Sequence, residues 1–442
     1  MNNSKTFIDD LPINSFHQML TLRAAGGWVM DGYILSIIGV ALIQISTALH
    51  LDNFWQGLIA AGALIGIFFG GFLGGWLTDK FGRKRIFLVS PIIFLLCSVA
   101  QLWVESAMVL FILRILIGVA VGIEYPVASA MMVEFLPKKS RGPRIAMVQI
   151  LWFAGAFIAY FVGNLILNHV GGADAWRYVV ASSAVLAAGM LIVRLGTPES
   201  PYWLVSKGRK AEADQIIQHI YGQGYSTANL SVSETKKSSS LIEVLRAGYG
   251  KRMFFVVVFW ACAVIPVFAV YAFVPKILQA FNLSAKMAEW GSNMITMLFV
   301  VGCIFATVLI SRMGRRKMLI QSFALSALAL FGLAFVSHEN TYLLLGLFGA
   351  FAIFTGPSQA LQTLYPNELF PTEVRAAAMG MGTSLSRIGA AIGTWAVPMS
   401  LDKFGISATM FVAGIIAVIG LVVSVLLAPE TGGKTLDETS SL

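Results

Sequence analysis

The sequence is poor in charge: Asp, Glu, Lys and Arg together make up 12% of its 442 residues, about half the usual share of a soluble domain. It is also poor in cysteine. Cys97, Cys262 and Cys303 fall singly in apolar runs, with no CxxC and no His nearby, so neither a disulfide framework nor a metal site is expected. They read as small buried hydrophobes. No nucleophile–base set, metal-ligand spacing or phosphate-binding loop is present, which argues against an enzyme. The first stretch is polar and the first apolar run is full length, so no cleavable signal peptide is expected.

What remains is apolar. Hydrophobic residues reach 57% and the mean hydropathy is +0.78. A water-soluble fold of this composition would expose apolar surface everywhere. Runs of ~20 apolar residues recur, each long enough to cross ~30 Å of hydrocarbon. Twelve membrane helices are expected near 22–46, 55–78, 86–104, 107–130, 144–167, 176–195, 253–278, 288–310, 318–336, 342–364, 378–399 and 406–428.

The net charge of +9 suggests nucleic acid until its placement is considered. Lys80, Arg83, Lys84 and Arg85 follow the second span; Lys138, Lys139, Arg141 and Arg144 follow the fourth; Arg312, Arg315, Arg316 and Lys317 follow the eighth. The connection after the sixth is basic too. The opposite side holds only Arg177, Lys276, Lys286 and Lys403. This asymmetry is the positive-inside rule and places both termini in the cytoplasm. The basic balance is topology, and no nucleic-acid partner is expected.

The chain also repeats itself. "GGWLTDKFGRKR" from Gly74 is matched about 230 residues later by "LISRMGRRK" from Leu309. "EFLPKKSRG" and "ELFPTEVRA" share E-x-x-P-x-x-x-R through Glu134, Arg141, Glu368 and Arg375. "PESPYW" and "PETGGK" close the two halves. Three markers in one order at one offset indicate a duplication. The expected division is a six-helix bundle over 1–204, a cytoplasmic linker over 205–250 and a second six-helix bundle over 251–442.

Over essentially its full length the chain resembles the major facilitator superfamily, whose most specific motif is matched by Gly75, Asp79, Lys80, Gly82, Arg83, Lys84 and Arg85. The resemblance implies an all-α membrane protein of twelve transmembrane helices, in two pseudo-symmetric bundles rocking about a central cavity. It makes Gly75, Asp79, Gly82, Arg83, Glu134, Arg141, Arg315, Glu368 and Arg375 gating candidates. Ser311 replaces the motif acid in the second copy, which implies a weaker latch there.

Four charges stand inside the spans: Asp31 in the first, Arg114 and Glu124 in the fourth, and Arg387 in the eleventh. A charge at a membrane helix centre costs roughly 2.5–3.5 kcal/mol on insertion scales, so each needs a partner or a water-filled cavity. Ten helical residues span ~15 Å and leave Arg114 and Glu124 about 80° apart. They read as two depths of one cavity, with Asp31 near or between them. One arginine facing two carboxylates leaves one acid able to titrate, which is the equipment of a proton-coupled carrier. A structural Asp31–Arg114 ion pair is the plainer alternative.

Resemblance extends this reading. "MDGYILSIIG" and the R-x-x-x-G-x-x-x-G pattern of Arg114, Gly118 and Gly122 are similar to the protonation switch of proton-coupled sugar and phosphate symporters. "GIEYPVASAMMVEF" is similar to the G-G-D-Y-P segment of phosphate symporters, with Glu124 for the Asp. In "GTSLSRIGAAIGTW", Arg387 stands where organic-anion carriers have Arg, phosphate symporters Lys and organic-cation carriers an acid. A guanidinium offers a planar fork for a carboxylate and stays charged at physiological pH. The sugar-porter Q-Q-x-x-G pattern is missing from the seventh span, as is an acid there, so an organic anion is favoured over a sugar or inorganic phosphate.

Tyr125, Gln149, Trp152, Trp260, Tyr271, Gln359 and Trp395 complete the substrate-site candidates, although each is the kind of residue that also serves packing. The expected protein is a proton-coupled importer of a small organic anion in a bacterial inner membrane. It is expected to act as a monomer and to need no cofactor beyond protons. A proton–sugar symporter, a drug or organic-cation exporter and a membrane receptor are the alternatives.

Overall fold

The computed structural model describes residues 7–230, 248–336, 340–370 and 372–432; within these, the side chains of 138–143, 145–146, 311 and 372–377 lie outside the description. The first half holds α1 (Ser15–Ala48), α2 (Asn53–Phe81), α3 (Arg83–Ala100), α4 (Ala107–Phe135), α5 (Lys138–Val170), α6 (Ala175–Ala181) and α7 (Ser183–Arg194). Two short helices follow, α8 (Pro201–Ser206) and α9 (Lys210–Tyr221). The second half holds α10 (Gly250–Ala280), α11 (Ala285–Met313), α12 (Arg315–Phe335), α13 (Thr341–Leu369) and α14 (Thr372–Leu427).

Several of these helices begin where a side chain replaces a missing backbone partner. Asn14 and His17 form a capping box at α1. Asp52 accepts from the Trp55 N–H at α2 (2.9 Å), and Asn340 from the Leu343 N–H at α13 (3.1 Å). Such caps satisfy donors that hydrocarbon cannot. α6 and α7 together make one span, broken at Ser182, whose hydroxyl meets that of Tyr33 at 2.6 Å. α14 is two spans run together: Gly405 interrupts it at φ 77°, ψ 177°, a conformation that costs glycine little. Eleven helices among the described residues are long and apolar enough to cross a membrane. Dividing the last at Gly405 gives twelve, the major facilitator architecture.

Small residues let the helices touch backbone to backbone. A Cβ at Gly118 on α4 would overlap the Ala63 carbonyl of α2. With no hydrophobic force to drive helices together in lipid, such close approach supplies the packing energy. The duplication reappears as contacts. Arg83 binds Glu134, and the Arg83 and Lys84 N–H groups donate to Glu199. Arg315 binds Glu368, and the Arg315 and Arg316 N–H groups donate to Glu430.

The halves meet along α1–α10, α2–α14 and α5–α11. Asn164 donates to Asn293 at 3.2 Å and Asn168 to Glu289 at 2.8 Å. The Phe153 and Phe299 rings stack 5.7 Å apart. Lys276 on α10 reaches Gln56 Oε1 on α2 at 2.6 Å. The expected linker is partly structured. α9 docks on the first half through Asn14 to the Ile220 carbonyl (3.1 Å) and Tyr221 to the Phe135 carbonyl (3.2 Å). Residues 231–247 of that linker lie outside the described residues.

Candidate functional site

Glu124 is fully buried, and its partner is Arg194 on α7. Arg194 Nη1 donates to Glu124 Oε2 at 2.9 Å, Nη2 meets Oε1 still more closely, and the Ser90 hydroxyl of α3 also donates to the carboxylate. The rest of the guanidinium is spent on the Phe87 carbonyl (2.9 Å) and the Arg23 carbonyl (3.3 Å), and its centre lies 3.7 Å from the Phe87 ring centroid. Gly27 on α1 makes room: a Cβ there would collide with both charged groups.

This corrects the expectation that Arg114 faces both acids. The 80° between Arg114 and Glu124 sends the two to different neighbours. Glu124 turns to α3 and α7. Arg114, 1% exposed, turns to α1 and α2, where Nη1 donates to the Ile34 carbonyl at 3.0 Å and Nε finds no partner. Asp31 is buried on α1 with neither carboxylate oxygen hydrogen-bonded. The charged groups that act on it are Glu124 and Arg194. The Asp31–Arg114 ion pair is absent among the described contacts.

Arg387, 7% exposed, has no carboxylate partner among the described residues. Its guanidinium interacts with the Tyr125 phenol and lies 5.0 Å from the Phe268 ring centroid, and Nε and Nη1 are unpartnered. Trp152 also interacts with this phenol. Side chains from three helices, drawn from both halves, therefore gather around Tyr125. Trp28 places its ring 4.8 Å from that of Tyr125. Trp152 stands edge-on to Phe268 (5.7 Å) and to Tyr271 (5.8 Å). An uncompensated guanidinium walled by aromatic rings attracts an anion with an apolar body.

The structure thus brings together Arg387, Tyr125, Trp152 and Tyr271. Gln149 is half-buried one turn from Trp152 on α5. Trp260 packs against Gly382 of α14 with its indole N–H unpartnered. Gln359 is engaged in the protein, donating to the Ala263 carbonyl (2.9 Å) and accepting from Gln362 (2.8 Å). Trp395 belongs elsewhere: it lies edge-on to Phe54 (5.9 Å), with its backbone against Gly57 of α2.

Of the gating candidates, Asp79 pairs with Arg83 at 3.0 Å and Arg83 with Glu134 at 3.0 Å, beside Gly82 at φ 99°. Arg315 pairs with Glu368 at 2.9 Å. Each pair stays inside one half, which differs from a latch joining the halves. A Cβ at Gly75 would meet nothing within 4 Å, so the close approach of helices does not depend on it. Arg141, Arg375 and Ser311 have side chains outside the described residues.

Sequence reasoning missed Arg194, Trp28, Phe268 and Lys276. Arg194 stands at the end of the sixth expected span, where a cation draws no notice. Its spacing gave no sign of a partner seventy residues earlier. Trp28 was legible in principle, one helical turn before Asp31.

Comparison with known proteins follows from this geometry. Residues 20–442 match the family model described as sugar (and other) transporter. The putative metabolite transport protein YaaU of Escherichia coli is 39% identical over 100% of this chain and 98% of its own length. The inner membrane metabolite transport protein YgcS of the same organism is 35% identical over 98% and 95%. The partially occluded, inward-open structure of the E. coli xylose transporter XylE superposes with a TM-score of 0.80 at 21% identity, covering 94% of this chain and 100% of that one.

Proposed function

The chain belongs to the sugar (and other) transporter family and is a multi-pass membrane transporter, and from that premise we propose that it imports a small organic anion together with a proton. The reading is carried by Arg387, a buried guanidinium with two open donor nitrogens and no carboxylate to neutralise it. A ligand carboxylate supplies the missing charge.

Asp31 is the protonation site. Glu124 is already held by Arg194, whereas both Asp31 oxygens are free. Protonation of Asp31 and anion binding at Arg387 discharge the centre, which lowers the cost of closing low-dielectric walls around it. The bundles then rock to the other side. The setting is a bacterial inner membrane with both termini cytoplasmic and the monomer as the working unit.

The family description favours a second reading, a proton-coupled sugar symporter, for which Gln359 and Gln362 would supply amides. Their mutual hydrogen bond and the open guanidinium weigh against it, and Arg387 weighs more heavily against a cation exporter. The test is transport in proteoliposomes. Arg387→Ala should abolish carboxylate binding. Asp31→Asn should retain exchange but lose accumulation driven by a pH gradient. A neutral sugar accumulated normally by Arg387→Ala would replace this reading with the sugar one.

A further inference from the structure

The central site is open at two charges of opposite sign. Arg387 leaves Nε and Nη1 unpartnered, and Asp31 leaves both oxygens unpartnered. Both act on the phenol of Tyr125, whose ring lies 4.8 Å from that of Trp28, one turn before Asp31 on α1. The charges facing Asp31 from neighbouring helices are Glu124 on α4 and Arg194 on α7, which already neutralise each other. Tyr125 is the remaining titratable neighbour. Nothing among the described residues closes either end.

A proton discharges Asp31 but does not complete it. A protonated carboxyl still carries a hydroxyl donor and a carbonyl acceptor, and each buried, unmade hydrogen bond costs about 1–3 kcal/mol. A ligand cation neutralises the ionised carboxylate and leaves no buried hydroxyl to satisfy. The walls beside Asp31 suit one. Trp28 lies one helical turn away on α1, and its ring is 4.8 Å from that of Tyr125. Aromatic rings beside a carboxylate favour an ammonium group, through ring quadrupoles as well as charge.

We propose that the site takes an organic zwitterion, its carboxylate on Arg387 and its ammonium at Asp31, beside the packed Trp28–Tyr125 ring pair. This rests on the anion reading of Arg387 and deepens it. The ammonium takes the place of the proton, so a simple anion enters with a proton and a zwitterion enters without one.

The test uses isosteric pairs on the full-length protein in detergent at alkaline pH: glycine betaine against 3,3-dimethylbutanoate, and N-methylpyridinium-3-carboxylate against 3-methylbenzoate. On at least one scaffold the zwitterion should bind about tenfold tighter, a difference of ~1.4 kcal/mol. Asp31→Asn, nearly isosteric, should erase that preference while the anion still binds, and Asp31→Glu should restore part of it. Equal affinity within both pairs, a preference that survives Asp31→Asn, or no binding by any of the four compounds overturns the proposal. Arg387→Gln separates the two readings. If it abolishes binding while Asp31→Asn changes nothing, the anion site stands and the zwitterion falls. If it leaves carboxylate binding intact, the anion reading itself has failed.

Discussion

Glu124 and Arg194 meet at two points, seventy residues apart in sequence and on different helices, with neither side chain exposed. Removing one partner of such a pair leaves an uncompensated buried charge, which costs about 3–5 kcal/mol. Glu124→Gln and Arg194→Met should each lower thermal stability in detergent sharply. The double change to Met at both positions should recover much of the loss. Single variants as stable as the parent would mean that water reaches this pair.

Arg387→Lys keeps the charge and removes the planar fork. Lysine offers a point charge on a flexible stem and no planar edge of paired donors for a carboxylate. Carboxylate affinity, measured by titration, should fall about tenfold or more, equivalent to ~1.4 kcal/mol. Undiminished affinity would show that charge alone recruits the ligand.

Lys276 and Gln56 tie the halves at the end away from the chain termini, 2.6 Å apart beside Ser46 and Gly39. A hydrogen bond to a charged group contributes about 1.5–3 kcal/mol. Lys276→Met should shift the population toward states open at that end. A cysteine introduced at Ser46 should then react faster with a water-soluble thiol reagent than in the parent background. An unchanged rate would remove Lys276 from the gate.

Glu430 predicts a pH dependence outside the membrane. Burial pushes its carboxyl up, but N–H bonds from Gly432, Arg315 and Arg316 and the charge of Arg315 together hold it below its ordinary value. A lowered folded pKa gives stability that is complete above the unfolded value and is lost as pH falls through the folded one. Glu430→Gln should therefore be less stable than the parent at neutral pH, and the gap should close well below the ordinary carboxylate range. Melting curves at the two pH values decide it. A gap that is constant with pH would mean the charge contributes nothing.

The architecture was legible because lipid leaves few options: apolar length, alternating basic connections and a repeated "DKFGRKR"-like turn specify helices, count and duplication. Arg387 was legible as a charge in an expected span, 378–399, that holds no acid. Partner choice was not. Arg114 and Glu124 share a helix, so their spacing fixed the angle between them but not which helices stood opposite. Arg194 looked like any cation closing a span, and only tertiary packing revealed it as buried. The short helices after Pro201 were obscured by their mixed charge, although α9 docks through backbone carbonyls that no side-chain pattern announces.

Every ion pair between described residues joins partners from the same half. What crosses the seam is ring contact and hydrogen bonding, including that of the Lys276 ammonium to Gln56 and of Asn168 to the Glu289 carboxylate. A chain severed between residues 230 and 248 and expressed as two pieces should still assemble into a working carrier, because the cut would break no ion pair between described residues.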